Sequence, residues 1–433
     1  MVNVAKIYST LGNSNSLVPL AIKDTFATAG MTTGSFITGD EEGQDRLIDE
    51  VGTEAIWLLG IPTFKWIFDH TIFKVLGLDY NFDARNLRKK HADVFEKVKE
   101  YAPTAEVKNE IEKISKNPKM FKNTATAKFV VSTALTVAAY IGLTKAKQKY
   151  TENKIRQNLI DEYNKKQTQE KQKEQKQGNT SFKGIGSAIE SVAFSPVKNM
   201  WILDGAITGE RLNDSRSTQE FIGYGIKEAS TLCFMYYAGG KIQEYFEERA
   251  NKKYNKEIGL DVTVIEDGGL KEAFENGSVE DSINAFEKVK NSDAALYDFL
   301  HKNPNNEIIK AAKLSESGSS PAKIIPLYKD TNKIDTRKYI DLEEVRATNN
   351  KISTLYKQYK EAIARGETSD TFFAGVKKLK RHSIRMNIGA CILALGVLTP
   401  AIMLAKRFTA NSDKEFKTKA EIREQLIKEG VIS

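Results

Sequence analysis

Two long uncharged segments dominate the pattern of hydrophobic and polar positions along the chain. Residues 129–144 read FVVSTALTVAAYIGLT and residues 387–405 read NIGACILALGVLTPAIMLA, with Lys or Arg close to both ends of each. As helices they would measure about 24 and 28 Å, close to the roughly 30 Å hydrocarbon core of a bilayer. The flanking basic side chains can extend to lipid headgroups. We therefore predict two membrane spans; the alternative is that both segments are buried core helices of a soluble α-protein.

Two shorter apolar segments are rich in aromatic residues. Residues 55–64 read AIWLLGIPTF and residues 229–240 read ASTLCFMYYAGG. Runs this short do not cross a bilayer unaided, and longer helices around them would bring in charged side chains. We therefore expect interfacial or re-entrant helices at about residues 52–76 and 218–243, which favours two full spans over four. Amphipathic core helices are the alternative.

A series of short matches in the same order indicates an internal duplication. GSFITGD at residues 34–40 resembles GAITGE at 205–210, and GTEA at 52–55 resembles GIKEA at 225–229. Each match is short, but their shared order favours two unequal copies of one unit. The predicted organisation is a first repeat at residues 1–150, a charged linker at 151–183 and a second repeat at 184–433 with a soluble insertion at about 247–385.

The remaining pattern predicts a mainly α fold, a helical membrane protein built from two unequal repeats. Residues 341–365 carry an apolar stripe at helical spacing, and Gly366 is placed to end that helix. Further helices are predicted at about 83–101, 104–115, 278–290 and 292–301. The segments DVTVIED and AKIIPLYKD alternate as strands do, which leaves a small α+β element in the insertion open.

Composition and charge refine this prediction. Charged residues make up 28% of the chain and the mean hydropathy is −0.43, which excludes a classical polytopic carrier. The net charge is +8, but residues 257–300 hold 11 acids and three lysines, so the basic residues concentrate beside the apolar segments. That distribution favours anionic lipid headgroups over nucleic acid. The expected partners are a lipid bilayer and a protein partner or a second copy of the chain.

The beginning of the chain lacks the apolar core of a cleaved signal peptide, so we expect residence in a bacterial cytoplasmic membrane. The two cysteines lie inside apolar runs and provide no disulfide framework. The four histidines are too far apart for a helical zinc motif, and no phosphate-binding loop or GxSxG elbow occurs. We therefore predict no catalytic, cofactor or metal site, and nothing in the sequence indicates an enzyme.

The duplicated ITGD and ITGE segments are one set of polar candidates. A glycine before an acid can end one element and orient the acid at the start of the next. The predicted turns consist of Ile37, Thr38, Gly39 and Asp40 in the first repeat and Ile207, Thr208, Gly209 and Glu210 in the second. They either line a cavity or simply orient two helices, and the second hypothesis is favoured.

Glu54 and Glu228 are matched acids near the start of the two aromatic helices. An acid at membrane depth is a functional candidate, whereas an acid in the first turns of any helix is favoured by the helix dipole. The S-x-x-E pattern at residues 217–220 reads as a capping box and supports the second interpretation. Asp69 and His70 have no counterparts in the second repeat and rank lower.

Three classes of function follow. The leading hypothesis is a structural or interaction protein whose membrane segments anchor a partner-binding soluble insertion. The first alternative is a small transport or pore-forming subunit, since repeat-built bundles place polar groups at their interface. The second alternative is a soluble all-α protein.

Overall fold

The computed structural model describes residues 3–13, 16–38, 40–88, 91–166, 196–215, 218–315, 324–328, 333–409 and 419–432. Within these residues the chain is mainly α-helical, which confirms the predicted class. No strand forms in this part, where Leu327 and Ile334 make an isolated bridge, so the small α+β element that the sequence left open does not form there. DVTVIED is helical because Asp261 caps its first turn by accepting a hydrogen bond from the Thr263 amide.

Long helices form a bundle. In chain order they are α2 (Leu17–Thr38), α3 (Asp40–Phe68), α6 (Pro118–Lys166), α7 (Pro196–Asn213), α8 (Thr218–Thr231), α9 (Gly239–Tyr254), α16 (Ser369–Leu393) and α17 (Thr399–Thr409). π-helical turns continue α3 over Asp69–Phe73, join α8 to α9 over Leu232–Ala238, and join α16 to α17 over Ala394–Leu398. Each joined pair therefore behaves as one continuous helix.

Shorter helices form a body at one end of the bundle. They are α4 (Ala92–Glu100), α5 (Ala105–Lys116), α10 (Val262–Asp267), α11 (Leu270–Glu275), α12 (Ser278–Glu287), α13 (Asp293–Lys302), α14 (Glu307–Leu314) and the longer α15 (Leu342–Ala364). At the junction of body and bundle lies α1 (Val4–Gly12), and α18 (Lys419–Lys428) packs on α6 near Ile155 and Leu159 at the far end.

The body has one hydrophobic core made by both excursions from the bundle. Val94 and Ile111 from the first excursion belong to the same buried cluster as Leu296 and Val345 from the second. The Asn86 amide donates to the Arg337 carbonyl at 3.1 Å, and other polar contacts also cross between the excursions. The two excursions, which the repeat boundaries assign to separate units, therefore fold together.

Local capping explains where the predicted body helices begin. Thr104, Ser292 and Asp341 cap α5, α13 and α15 by accepting hydrogen bonds from backbone amides in the first turn. Gly366, at φ 87°, follows the end of α15. The helix predicted at residues 83–101 is instead a 3₁₀ turn at Ala84–Leu87 followed by α4. The first part of the predicted linker, residues 151–166, is helical, because α6 continues to Lys166.

α3 and α6 lie side by side and antiparallel along the bundle. A Cβ on Gly52 would lie 2.6 Å from Leu143, and a Cβ on Gly60 would lie 2.5 Å from Thr136. Further along, the Lys65 ammonium lies 5.7 Å from the centre of the Phe129 ring. α3 therefore occupies the same level as the apolar residues 129–144 along their whole length.

The closest backbone approach in the bundle joins α2 to the π-helical turn of the last long helix. A Cβ on Gly30 would lie 2.1 Å from the Gly396 carbonyl oxygen. Backbone cannot yield as the tip of a side chain can, so this crossing requires glycine at position 30. Close approach through small residues is characteristic of helices packed in membranes.

We predict that Gly30→Ala destabilises the bundle by about 1–3 kcal/mol, because the added methyl forces α2 away from Gly396. Gly142→Ala is the matched control, since Gly142 lies in α6 with nothing within 4 Å of the added Cβ. It should leave stability unchanged or raise it by up to about 1 kcal/mol. Thermal unfolding of the detergent-purified chain measures both; equal effects would contradict the close contact.

Candidate functional site

A small, polar cavity lies inside the bundle between α2, α3, α7 and α8. Its volume is about 20 Å³, close to that needed for one water molecule. Its lining includes five carboxylates and two basic side chains; the residues are Asp24, Glu50, Thr53, Glu54, Trp57, Asp204, Ile207, Arg211, Lys227, Glu228 and Thr231. A site with this excess of acids differs from an ordinary helix interface, which is apolar.

Arg211 is the centre of the surrounding polar network and is only 2% exposed. Its guanidinium donates hydrogen bonds to Tyr140 at 2.7 Å, to Thr53 at 3.0 Å, to Asp49 at 3.2 Å and to Glu228. These partners come from α3, α6 and α8, so one side chain of α7 joins three other helices. A planar guanidinium can make such a set of contacts at once, whereas an ammonium cannot.

Lys227 extends the network on the other side of Glu228. Its ammonium lies 2.7 Å from Glu50 and 3.3 Å from Glu228. All three side chains are buried. The two basic groups of the cavity are therefore already paired with Glu50 and Glu228.

A second layer of charges lies towards the far end of the bundle. Lys147 of α6 lies 3.6 Å from Asp45 and 3.4 Å from Asp49. Thr151 donates to Asp45 at 2.7 Å, and Arg46 lies over the Tyr224 ring with 5.2 Å to its centre. This layer extends the same ionic network from α3 to α6 and α8.

Three carboxylates at the cavity have neutral hydrogen-bond donors or none. Glu54 accepts from the Thr25 hydroxyl at 2.5 Å, and Asp204 accepts from Tyr236. Asp24 has no hydrogen bond to any residue in the described part of the chain, although the charge of Lys227 acts on it. The neighbouring Lys23 instead reaches Asn387, at 3.4 Å.

The structure brings together two of the acids that the sequence singles out. Glu54 on α3 and Glu228 on α8 both line the cavity, Glu54 with Thr25 and Glu228 with Arg211. Asp69 and His70 are elsewhere, about 22 Å further along α3. There Asp69 pairs with Lys128 at 2.5 Å and the exposed His70 ring meets the Trp66 carbonyl.

The two predicted turns have different outcomes. In the first repeat α2 ends at Thr38 and α3 begins at Asp40, with Ile37 exposed, while Gly39 lies outside the described residues. In the second repeat the prediction is wrong, because Ile207, Thr208, Gly209 and Glu210 lie within α7. Ile207 and Arg211, one turn apart, both face the cavity, so tertiary packing outweighs the turn preference of glycine. Thr208 donates to Glu228 at 3.3 Å.

Most of the site was not predicted from the sequence. The residues without a prediction are Asp24, Asp49, Glu50, Asp204, Arg211 and Lys227. Asp204 could have been recognised in the sequence, because it is the one charged residue between Lys198 and Glu210. An isolated acid in an otherwise uncharged helix marks a polar interior position.

The histidines lie apart from this cavity. His301, in the body, stacks on Tyr101 with 4.1 Å between ring centres, and its burial lowers its pKa to about 4, so it is neutral at neutral pH. His91 contacts Tyr339, and His382 packs against Phe246. In the described part of the chain no three His, Cys, Asp or Glu side chains are grouped as metal ligands.

Comparison of the chain with protein-family models, curated proteins and solved structures finds no match.

We predict that Arg211→Gln destabilises the bundle by about 3–5 kcal/mol, because Asp49 and Glu228 keep their buried charges without this partner. Adding Glu228→Gln to that variant should recover part of the loss, since one unpaired charge is then removed. Unfolding of the detergent-purified variants measures both effects.

Lys252→Gln is the control for Arg211→Gln. Lys252 forms an exposed pair with Glu248 at 2.8 Å, and its loss should cost at most about 1 kcal/mol. A similar stability for Arg211→Gln and Lys252→Gln would mean that the buried network does not hold the helices together.

Proposed function

We propose that this chain is an integral membrane protein in which the helix bundle holds the soluble body at one membrane face. In this proposal it acts as a structural or interaction protein through the body. The observation that carries the proposal is the segregation of exposed apolar side chains onto the bundle. A domain with its own core, joined to such a bundle, is the arrangement expected of an anchored soluble domain.

The exposed apolar surface of the bundle supports a lipid environment. Two helices, over Pro118–Asp161 and Ser369–Ala405, are long and apolar enough to cross a membrane, and only 22% and 33% of their most apolar stretches are buried. Exposed large apolar residues cover the bundle; they include Val51, Leu59, Trp66, Val131, Leu135, Leu393, Val397 and Ile402. The body, by contrast, exposes few large apolar side chains. In the described parts of residues 78–117 and 255–368 these are Tyr80 and Ile363. Such segregation marks a surface that water does not cover.

The height of this surface fits a bilayer. Exposed aromatic residues lie near both ends of this surface. At one end is Trp66, next to Lys65, which lies at the level of Phe129. At the other end is Tyr150 of α6. From Phe129 to Tyr150 the helix rises about 32 Å, close to the hydrocarbon thickness of a bilayer. Aromatic side chains at both boundaries are typical of membrane helices.

The directions of the helices favour more crossings than the two predicted from the sequence. α3 runs towards the body, α6 away from it, α8 with α9 towards it, and α16 with α17 away from it. Two crossings would place the two excursions on opposite sides, but they share one core. Side-by-side packing of α3 and α6 also argues against an interfacial position for residues 52–76.

The order of elements supports the proposed duplication. Each half has a helix leading away from the body (α2 or α7), then a helix with a π-helical turn (α3 or α8), then an excursion into the body. Each half ends in a long apolar helix, α6 or α16. The counterparts proposed from the sequence, Glu54 and Glu228, occupy corresponding helices on either side of the cavity.

A second candidate function is a small transport or pore-forming subunit. An anchor needs no charged groups in its interior, yet the cavity holds five carboxylates and two basic side chains. Ionisable residues inside a membrane bundle are costly and are usually retained for ion or proton pathways. This alternative fits an arrangement with more than two crossings.

Cysteine labelling tests the membrane proposal. With Cys233→Ala and Cys391→Ala as background, we predict that Glu112→Cys and Asn305→Cys react with an impermeant reagent from the same side of intact cells or vesicles. Asn153→Cys, at the far end of the bundle, should react only from the opposite side. Glu112, Asn153 and Asn305 are exposed, so each site is open to the reagent.

Each other labelling pattern has a distinct meaning. If the reagent labels Asn153→Cys and Asn305→Cys from one side and Glu112→Cys only from the other side, the two-span arrangement would be restored. Reaction of all three from one side, together with release of the chain by carbonate, would overturn the membrane proposal. The apolar surface would then have to be covered by a second copy of the chain.

A further inference from the structure

The charge balance of the cavity leaves three acids without a basic partner of their own. Arg211 is engaged by Asp49 and Glu228, and Lys227 lies between Glu50 and Glu228. The remaining cavity acids are Asp24, Glu54 and Asp204.

The charged groups around these acids do not supply the missing compensation. Asp24 faces Lys227 and also the acids Glu50, Glu54 and Glu228. Asp204 faces Tyr236, Lys227, and the acids Asp24 and Glu228. Lys227 is thus the basic side chain that both acids share, and it is already held by Glu50 at 2.7 Å. Several like charges this close to one another in a small cavity disfavour one another's ionised form, and a further positive charge relieves that repulsion.

A hydroxyl at the cavity independently points to a missing occupant. Thr231 is 6% exposed and lines the cavity, and its Oγ1 has no hydrogen-bond partner among the described residues. A buried hydroxyl left unpaired is costly, and an occupant of the cavity would satisfy it. The space of about 20 Å³ limits that occupant to one small ion or one water molecule.

We propose that this cavity binds a single small monovalent positive charge, either Na⁺ or a proton, at Asp24 or Asp204, with Glu54 nearby. The surrounding ligands are carboxylate and hydroxyl oxygens, which suit a hard cation. In the described part of the chain no three His, Cys, Asp or Glu side chains are grouped to hold a metal ion, so at most two of the three acids could contact a bound Na⁺ directly. Bound Na⁺ would take the Thr231 hydroxyl as an additional ligand, whereas a bound proton would sit on Asp24 or Asp204. The proposal deepens the transport alternative, but it does not depend on how the bundle meets the membrane.

The test uses the full chain purified in detergent, so its outcome is separate from that of the labelling experiment. Thermal unfolding is followed while NaCl replaces choline chloride at constant ionic strength and pH. If the ligand is Na⁺, the Tm should rise by a few degrees towards saturation. Asp24→Asn, and Thr231→Val as a variant that keeps every charge, should lose most of this rise. Glu280→Gln, which alters an exposed body carboxylate paired with Lys360, should keep it.

The proton arm uses infrared difference spectra recorded across a pH titration. If the ligand is a proton, the wild-type chain should show the carbonyl stretch of a protonated buried carboxyl group, and Asp24→Asn or Asp204→Asn should remove that band. Glu280→Gln should retain it. A chain with neither a Na⁺-dependent Tm nor a carboxyl band sensitive to these variants would overturn the proposal.

Discussion

The burial of the Arg211 charge is the constraint on which the arrangement of the bundle depends. A guanidinium away from water is tolerated only with close anionic partners and satisfied donors. Its partners Asp49, Glu228 and Tyr140 come from three different helices. α3, α6 and α8 must therefore meet α7 at one level, which fixes their relative positions along the bundle axis. Apolar packing alone tolerates small shifts along a helix, whereas this network does not.

The charges can meet only because the helices approach closely elsewhere. Gly52 and Gly60 of α3 lie against Leu143 and Thr136 of α6, and Gly30 lies against the Gly396 backbone. A side chain at position 30 would push α2 away from the Gly396 backbone, and one at position 52 or 60 would require Leu143 or Thr136 to shift. Small residues and buried charges are therefore two parts of one requirement, the first setting the distance that the second needs.

The sequence predicts what depends on neighbouring residues. Both apolar helices, the starts of the helices at residues 104, 292 and 341, and the candidates Glu54 and Glu228 could be predicted from it. The Arg211–Asp49 pair was not, because its members are 162 residues apart and no local pattern links them. The ITGE turn and the DVTVIED strand were wrong because packing at Ile207 and capping at Asp261 outweigh local preference.

The distribution of polarity within α3 connects the site to the membrane proposal. Asp49 and Glu50 are buried while the neighbouring Val51 and, further along, Leu59 are exposed. A helix on the surface of a soluble domain has the opposite arrangement, with charges outside and apolar residues inside. In lipid the exposed apolar side chains need no cover, and the charges have no water outside the bundle, so they must find partners within it. In the proposed membrane arrangement, one environment would account for both the exposed apolar surface and the buried ionic network. If protein covers the bundle instead of lipid, the inward position of its charges needs a separate explanation.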